Sequence, residues 1–345
     1  MTVPFGGPSL ADLLAGARVV SLPMRVRFRG ITTREAVLLE GPAGWGEFAP
    51  FPEYDDAEAA TWLRAAIEAA WLGPPTPLRE RVPINATVPA IAPQQVPEIL
   101  APFPGARTAK VKVAENGQTL AEDVARVAAV RELIDNVRVD ANGGWTVDEA
   151  VTALDALTAD GPLEYAEQPC ATVPELVEVR RRLAEVMNRH GRRRVPIAAD
   201  ESIRRAEDPL KVVRTGGADV AVVKVAPLGG MRRLLSLADD LAGHGVPVVV
   251  SSALDTAVGM NAGLAAAAAL PALPYACGLG TGGLFVTDVA EPRQVADGSL
   301  AAHPIAPDQT RLAELGAPPE RAQWWLARLR RCYELLAVSG DAWDE

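Results

Sequence analysis

The sequence predicts an α/β fold: a parallel (β/α) barrel of the TIM type with a smaller α+β capping domain. Three observations predict it. From residue 82 onward, short β-rich runs alternate with amphipathic helical stretches, which is the pattern of a parallel sheet. Eight such runs occur, the number that closes a barrel. Charged residues stand at the ends of consecutive runs, and barrels of this type build their sites at those C-terminal ends.

The β-rich runs fall at residues 82–87, 109–113, 137–139, 165–167, 197–199, 220–225, 246–250 and, more weakly, 276–279. Helical periodicity fills most of the intervals, over 120–134, 147–158, 174–189, 230–242 and 259–269. The repeat is one of structure and not of sequence, so the chain is no solenoid. An open doubly wound sheet is the competing architecture. The count of eight and the residues at the run ends favour the closed barrel. The first part of the chain reads differently. Alternation over 18–28 and 34–40 gives an antiparallel hairpin or meander, and 57–71 reads as a helix. The tail carries a helix over 319–336. We therefore expect residues 1–80 to form the N-terminal part of the cap and 81–291 the barrel, with 292–345 returning to the cap. Gly73-Pro74-Pro75-Thr76-Pro77 is the linker.

A chain of 345 residues suits a barrel plus a partner domain, and with 49% apolar residues it can bury a large core. The net charge of -10 argues against nucleic-acid binding, which needs a basic face. The basic patch from Arg189 to Arg194 is broken by His190 and Gly191 and reads as a solvated helix end and loop. Cys170, Cys277 and Cys332 are far apart and form no CxxC pair, so a disulfide framework or structural zinc is not expected. That suits a reducing cytoplasm. Pro4, Gly6, Gly7 and Pro8 break the start with no basic n-region before an apolar run, so no signal peptide is expected. The most apolar stretch, 261–277, is interrupted by Pro271 and Pro274 and is too short for a bilayer, so no membrane partner is expected. His190, His244 and His303 have no hydrolase or metal-ligand spacing and read as surface or loop residues. Acid–base work therefore falls to carboxylates and lysines.

The second run offers Lys110-Val111-Lys112, whose two ammonium groups share one face of a strand. The third run ends at Asp140, the fourth at Glu167 and the fifth at Asp200, while the sixth carries Lys224. Each residue alone has a plain reading. An Asp after a strand caps a helix or starts a turn, and a lone strand Lys is solvated. Together they are a poor structural design, because buried lysines cost several kcal/mol unless paired. The chemical reading satisfies every charge. Three carboxylates are hard oxygen ligands for Mg²⁺, with Mn²⁺ able to replace it, leaving positions for water and a small-molecule carboxylate substrate. The cation would hold that carboxylate and stabilise the ene-diolate formed when the α-proton leaves. Lysines on either side reach opposite faces of the intermediate. A base lysine must be neutral, and a second ammonium two residues away, with partial burial, lowers its pKa.

This constellation resembles the enolase superfamily, whose sites use a Lys or His base with Mg²⁺. In its muconate-lactonising-like branch the motifs run K-x-K, then metal-binding Asp, Glu and Asp, then a Lys. Here they fall on Lys110 and Lys112, Asp140, Glu167, Asp200 and Lys224. The likeness spans the whole chain, since Gly44-Trp45-Gly46-Glu47 is similar to the family's cap motif. It implies a modified, enolase-like barrel.

Within that branch the chain is most similar to the dehydratases that form 2-succinylbenzoate in menaquinone biosynthesis. Arg138-Val139-Asp140-Ala141-Asn142 carries that likeness. So does the run from Ser251 to Gly259, although Asp255 and Thr256 stand where other members vary. The resemblance implies that Lys112 removes the α-proton of 2-succinyl-6-hydroxy-2,4-cyclohexadiene-1-carboxylate and returns it to the leaving hydroxyl on the same face. Lys224 would stabilise the intermediate from the opposite face. It further implies that Ser251 and the backbone of Gly278 touch the succinyl carboxylate and that Asn142 orients metal-bound groups. Arg138, on the face of Asp140, would pair with a carboxylate there. Ser251 and Ser252 read equally well as helix caps.

Other signals are weaker. Gly278-Leu279-Gly280-Thr281-Gly282-Gly283 matches GxGxxG, but no convincing helix follows, so it reads as a close-approach loop over the substrate and not as a dinucleotide site. The hairpin with Arg25, Arg27, Arg29 and Arg34 is either a lid or a solvated strand face. Trp45, Trp62 and Trp71 read as cap core. The alternative enzyme is an N-acylamino-acid racemase of the same branch, alone or as a second activity, with both lysines as acid–base catalysts. A muconate-type cycloisomerase, a Rossmann-type oxidoreductase and a non-catalytic metal-stabilised barrel rank below it. The sequence leaves the oligomeric state open.

Overall fold

The N-terminal segment folds as its alternation dictates. The computed structural model describes residues 7–28, 30–204 and 208–339. A helix too short to show periodicity, α1 (Leu10–Gly16), opens it, with Ser9 and Asp12 closing a capping box. β1 (Ala17–Phe28), β2 (Ile31–Gly41) and β3 (Gly44–Phe48) follow as an antiparallel meander. The third strand, which contains the Gly44-Trp45-Gly46-Glu47 segment, decides between hairpin and meander. Helix α2 (Asp56–Ile67), capped by Asp55, lies against this sheet. The approach is so close that a Cβ on Gly46 would stand 2.0 Å from the Ala66 carbonyl oxygen.

The barrel follows. β4 (Arg81–Pro83) precedes seven parallel strands in chain order: β5 (Ala86–Val88), β6 (Thr108–Lys112), β7 (Asn136–Asp140), β8 (Ala166–Glu167), β9 (Ile197–Ala199), β10 (Val220–Val223) and β11 (Val248–Val250). The eighth position is held by Cys277 and Gly278 alone, bridged in parallel to Ile84 and to Ser251. Asn85 N donates to Cys277 O at 2.9 Å and Gly278 N to Val250 O at 2.8 Å, which closes the ring. Two expectations are corrected. The run 82–87 is divided, because its first residues pair antiparallel with β12 (Ser299–Ala301) from the tail and only its end joins the barrel. The run 276–279 is a pair of bridges, not a strand. The three helices Leu120–Arg131, Val147–Leu157 and Val173–Arg189 each start with a Thr-x-x-Glu capping box at Thr119, Thr146 and Thr172. That signature fixes where each crossover begins.

Among the described residues three hydrophobic clusters form: a large one of the barrel strands and helices, one in the cap, and a small separate one of Tyr165, Ala198, Val220, Val222 and Val249. Charged side chains stitch the cap to the barrel. Glu68, buried at the end of α2, accepts from Met231 N at 2.6 Å and Arg232 N at 3.0 Å, and so caps the barrel helix Met231–Gly243 from the other domain. Glu47 on β3 accepts from Thr256 N at 3.1 Å and from its hydroxyl. Arg34 on β2 donates to Leu254 O at 3.0 Å and to Ala49 O. The tail helix Pro319–Ser339 returns to the cap, where buried Arg328 donates to Phe51 O and Tyr54 O.

Arg34 is therefore a buried staple, neither lid nor solvated. Arg25 ties the hairpin to Phe285 O at 2.8 Å. Arg29 and the side chain of Arg27 lie outside the described residues. In the basic patch, Arg192 pairs with Asp155 and Arg194 with Asp219 at the surface. The three histidines are exposed and the three cysteines are buried and free. Among the described residues no helix is long and apolar enough to cross a membrane.

Two outcomes follow from the cap. Gly46→Ala forces backbone apart and should lower unfolding stability by about 1–3 kcal/mol, whereas Gly243→Ala, whose Cβ meets nothing within 4 Å, should be near neutral in the same urea titration. Burial pushes the Glu47 carboxyl up to about 8, with the charge of Asp255 adding to the rise and Arg34 opposing it. A carboxyl that holds its proton in the fold but loses it at the ordinary 4.5 when unfolded favours the folded state at low pH. Stability from this group should thus be complete below about 4.5 and decline as pH rises toward about 8, and Glu47→Gln should flatten that decline.

Candidate active site

The register sets the floor of the pocket. Lys110 and Lys112 point inward two residues apart on β6, and pairing sets Lys112 beside Asp140 and Asp140 beside Glu167. Lys112 Nζ lies 2.6 Å from Asp140 Oδ2, and Lys110 Nζ lies 3.1 Å from the same oxygen. Lys110 also donates to both Glu167 oxygens at 2.9 Å. Asp200, one residue past β9, pairs with Lys224, one residue past β10. All three acids and Lys110 are buried. The six expected floor residues thus come together. β6 and β10 are four positions apart in a ring of eight, so Lys112 and Lys224 face each other across the row of acids. The chain has four lysines, and every one but Lys211 is here. Elsewhere the cations are arginines, which cannot give up a proton.

Burial and the paired lysines pull Glu167 and Asp140 in opposite directions. Burial pushes Glu167 up to about 7, Asp140 adds to the rise, and Lys110 only partly offsets it. Burial would raise Asp140 too, but the ammonium groups of Lys112 and Lys110 outweigh it and hold that carboxyl well below its ordinary range. Lys110 is raised, because Glu167 and Asp140 overcome the desolvation that would lower it. Lys110 therefore stays charged. Among the described residues no three acids converge as a ready metal cage, since each is turned onto a lysine. The donor set nevertheless fits a hard divalent cation: three buried carboxylates at successive strand ends, two of them already gathered around one ammonium.

Two residues in left-handed backbone conformation hold the acids. Asn142 has φ +47°, takes Lys112 Nζ on its Oδ1 at 2.6 Å and donates its N–H to Asp140 at 3.1 Å. It thus orients the lysine as well as the acid. Gln168 has φ +38° and is fully buried. Its Oε1 accepts from Asp200 N at 3.1 Å and Ser202 N at 3.2 Å, and its Nε2 donates to Cys170 O and Ser202 Oγ. Such conformations cost free energy outside glycine and persist where surroundings over-determine them.

Ser251 and Gly278 meet at the seam that closes the barrel, and both line the pocket. A Cβ on Gly278 would stand 2.5 Å from Ser251 Oγ, so a side chain there would push the Ser251 hydroxyl aside. Neither serine caps a helix, since the next one starts at Met260 after Gly259; the Ser252 hydroxyl instead holds a turn, accepting from Leu254 N at 2.9 Å and Asp255 N at 3.2 Å. Thr281, in the GxGxxG segment, donates to Ser252 at 2.8 Å, and the segment forms a 3₁₀ turn over the pocket.

Arg138 is a correction. It shares the face of Asp140 but lies one layer lower in the barrel, away from the pocket lining. It pairs with Glu164, donates to Ala276 O at 2.8 Å and stacks 4.6 Å above the Tyr165 ring. It plugs the barrel interior. The sequence reading missed the cap's share of the pocket: Phe51, Tyr54 and Trp62. Their only signal is aromatic clustering after the Gly44–Glu47 segment. Arg34 lies 4.5 Å over the Phe51 ring, and together with Arg328 it fixes that wall.

Comparison with known proteins adds to this geometry. Residues 103–308 match an enolase C-terminal domain-like family and residues 19–70 an enolase N-terminal domain-like family. The chain is 65% identical to the o-succinylbenzoate synthase of Mycobacterium ulcerans (strain Agy99) over 337 residues, 97% of this chain and 99% of that protein. It is 65% identical to the o-succinylbenzoate synthase of Mycobacterium tuberculosis (strain ATCC 25618 / H37Rv), covering 96% and 98%. In fold it is similar to muconate lactonizing enzyme from Pseudomonas fluorescens complexed with muconolactone, with TM-score 0.71 and 22% identity over 87% of this chain and 98% of that one.

Gln168→Leu removes four hydrogen bonds and leaves buried donors unpaired. It should cost roughly 3 kcal/mol in urea unfolding, the sum of a few buried bonds.

Proposed function

The chain belongs to the enolase superfamily and, within it, to the o-succinylbenzoate synthases, and from that footing we propose how its residues perform the reaction. The reaction is the dehydration of 2-succinyl-6-hydroxy-2,4-cyclohexadiene-1-carboxylate to 2-succinylbenzoate. One observation carries the assignment of roles: two lysines face each other across three buried acids.

Asp140, Glu167 and Asp200 would hold Mg²⁺, or Mn²⁺ in its place. Bound there, the cation would supply Lewis-acid stabilisation to the substrate carboxylate as charge builds on it. Lys112, released from its pair with Asp140, takes the α-proton as a neutral amine. The electrons of the broken C–H bond pass into the carboxylate, and the Lys224 ammonium steadies that charge from the opposite face. The C–O bond to the 6-hydroxyl then breaks, and Lys112 returns its proton to the departing oxygen on the same face, releasing water. The ring becomes aromatic, so the step is strongly downhill. Lys110 remains an ammonium that holds Asp140 and Glu167 in place. Asn142 aims Lys112. Ser251 and the Gly278 backbone receive the succinyl carboxylate.

We place this reaction in menaquinone biosynthesis, as the family likeness suggests, and in the cytoplasm, which three free buried cysteines support. The racemase alternative would need Lys224 to exchange the substrate α-proton with solvent. Incubating N-acylamino acids with the protein in D₂O and following deuterium incorporation detects it.

The decisive assay follows absorbance as the diene acid becomes aromatic, with metal-stripped protein, with added Mg²⁺, and with Lys112→Ala. Conversion should need the metal, and Lys112→Ala should lose a factor of about 10²–10⁴ in kcat, the usual worth of a positioned base. Full activity in Lys112→Ala would remove the base from the scheme.

A further inference from the structure

Asp200 is followed by a second acid that the scheme above leaves unused. Glu201 opens the short helix Glu201–Arg204 just past β9 and lines the pocket. The two neighbouring carboxylates serve opposite sides. Asp200 pairs with Lys224 on the β10 side. Glu201 Oε1 accepts from the side-chain Nδ2 of Asn142, beyond the end of β7, at 3.4 Å. Asn142 Oδ1 in turn accepts from Lys112 Nζ at 2.6 Å. One amide thus bridges an acid and the lysine cast as base. The two ends of an amide differ, since its NH₂ only donates and its carbonyl only accepts. A carboxylate only accepts, so Glu201 takes the Nδ2 end and leaves Oδ1 for the lysine.

An ammonium at Lys112 selects that orientation by itself, because it has nothing but donors. A neutral amine does not. It carries a lone pair beside its N–H groups, so either end of a turning amide finds a partner there. With Nδ2 turned inward, the amide would cap the very lone pair that has to take the α-proton. We propose that Glu201 is a positioning residue that locks the Asn142 amide. Lys112 as a neutral amine then gives one N–H to Oδ1 and keeps its lone pair free for the substrate. The same Oδ1 accepts from the ammonium that proton uptake creates, so nothing has to turn before the proton is handed to the departing oxygen. This inference rests on the reading of Lys112 as the base of the dehydration.

The test is a double-mutant cycle on the diene acid at saturating Mg²⁺. Glu201→Leu removes the acceptor and should lower kcat about tenfold with KM within about twofold, the size of one lost hydrogen bond to a charged group. Asn142→Gly removes the amide, keeps the N–H to Asp140 and suits the left-handed backbone at φ +47°. In that background Glu201→Leu should cost nothing more, because residues that act through one another are not additive. Should the leucine variant fail to fold, Glu201→Gln takes its place; it can still accept but can also turn, and should lose about threefold in kcat. A second readout needs neither metal nor substrate. In the ¹⁵N-labelled protein the Asn142 side-chain amide resonance, identified by its absence from Asn142→Gly, should move in the Glu201 variant. An unchanged kcat, losses that multiply in the double variant, a loss that further Mg²⁺ repairs, or an unmoved amide resonance would overturn the proposal. Failure of the wild type to convert the diene acid would instead bring down the dehydratase reading, and the amide resonance would still report on the lock.

Discussion

Burying three carboxylates and three ammonium groups in one cavity is the constraint on which the rest of this structure depends. Each such charge costs several kcal/mol to desolvate unless it is paired, and removing one partner leaves the other stranded at about 3–5 kcal/mol. The barrel meets the constraint by register. Parallel pairing brings Lys112 level with Asp140 and Asp140 level with Glu167, so the pairs form without any side chain searching for its partner. Burial still pushes the Glu167 carboxyl up, with neighbouring Asp140 adding to the rise. Asp140, Glu167 and Asp200 are the kind of oxygen donor set that a hard divalent cation takes.

The same economy of charge governs the seam between cap and barrel. Few apolar contacts could fix one domain on the other as directionally as the bonds found there. Glu68 caps a barrel helix, and Gly230 is glycine because a Cβ would lie 1.9 Å from that carboxylate. Arg34 joins Ala49 on the cap to Leu254 on the barrel. Arg328 reaches from the tail helix to Phe51 and Tyr54. The bonds of Arg34 to Leu254 and of Arg328 to Phe51 and Tyr54 end on backbone carbonyls of residues that line the pocket. The cap is thereby made part of the site and not a lid laid over it.

Legibility in the sequence differed by element, for a physical reason in each case. Lys110, Lys112, Asp140, Glu167, Asp200 and Lys224 could be read because strand periodicity and the barrel's C-terminal rule act locally and fix direction from position alone. Arg138 was misjudged because the period of two gives the face of a strand but not its depth, and depth decides between pocket and interior. Gln168 went unread because a buried amide in a left-handed turn looks, in sequence, like any polar residue before a proline. The eighth strand is only two bridges, Cys277 to Ile84 and Gly278 to Ser251, too short for a period of two to show in the sequence.

By itself, then, the sequence determined the alternation that makes a barrel, the residue types at the strand ends, and the choice of lysine over arginine at the three positions where a proton or an ammonium is wanted. Tertiary structure alone decided which wall the cap contributes and what holds it. Arg328 and Phe51 are 277 residues apart, and Arg34 and Leu254 are 220. No spacing rule spans such distances, because those contacts exist only once remote segments of the chain have packed into one core, the cap cluster that holds both Phe51 and Leu254.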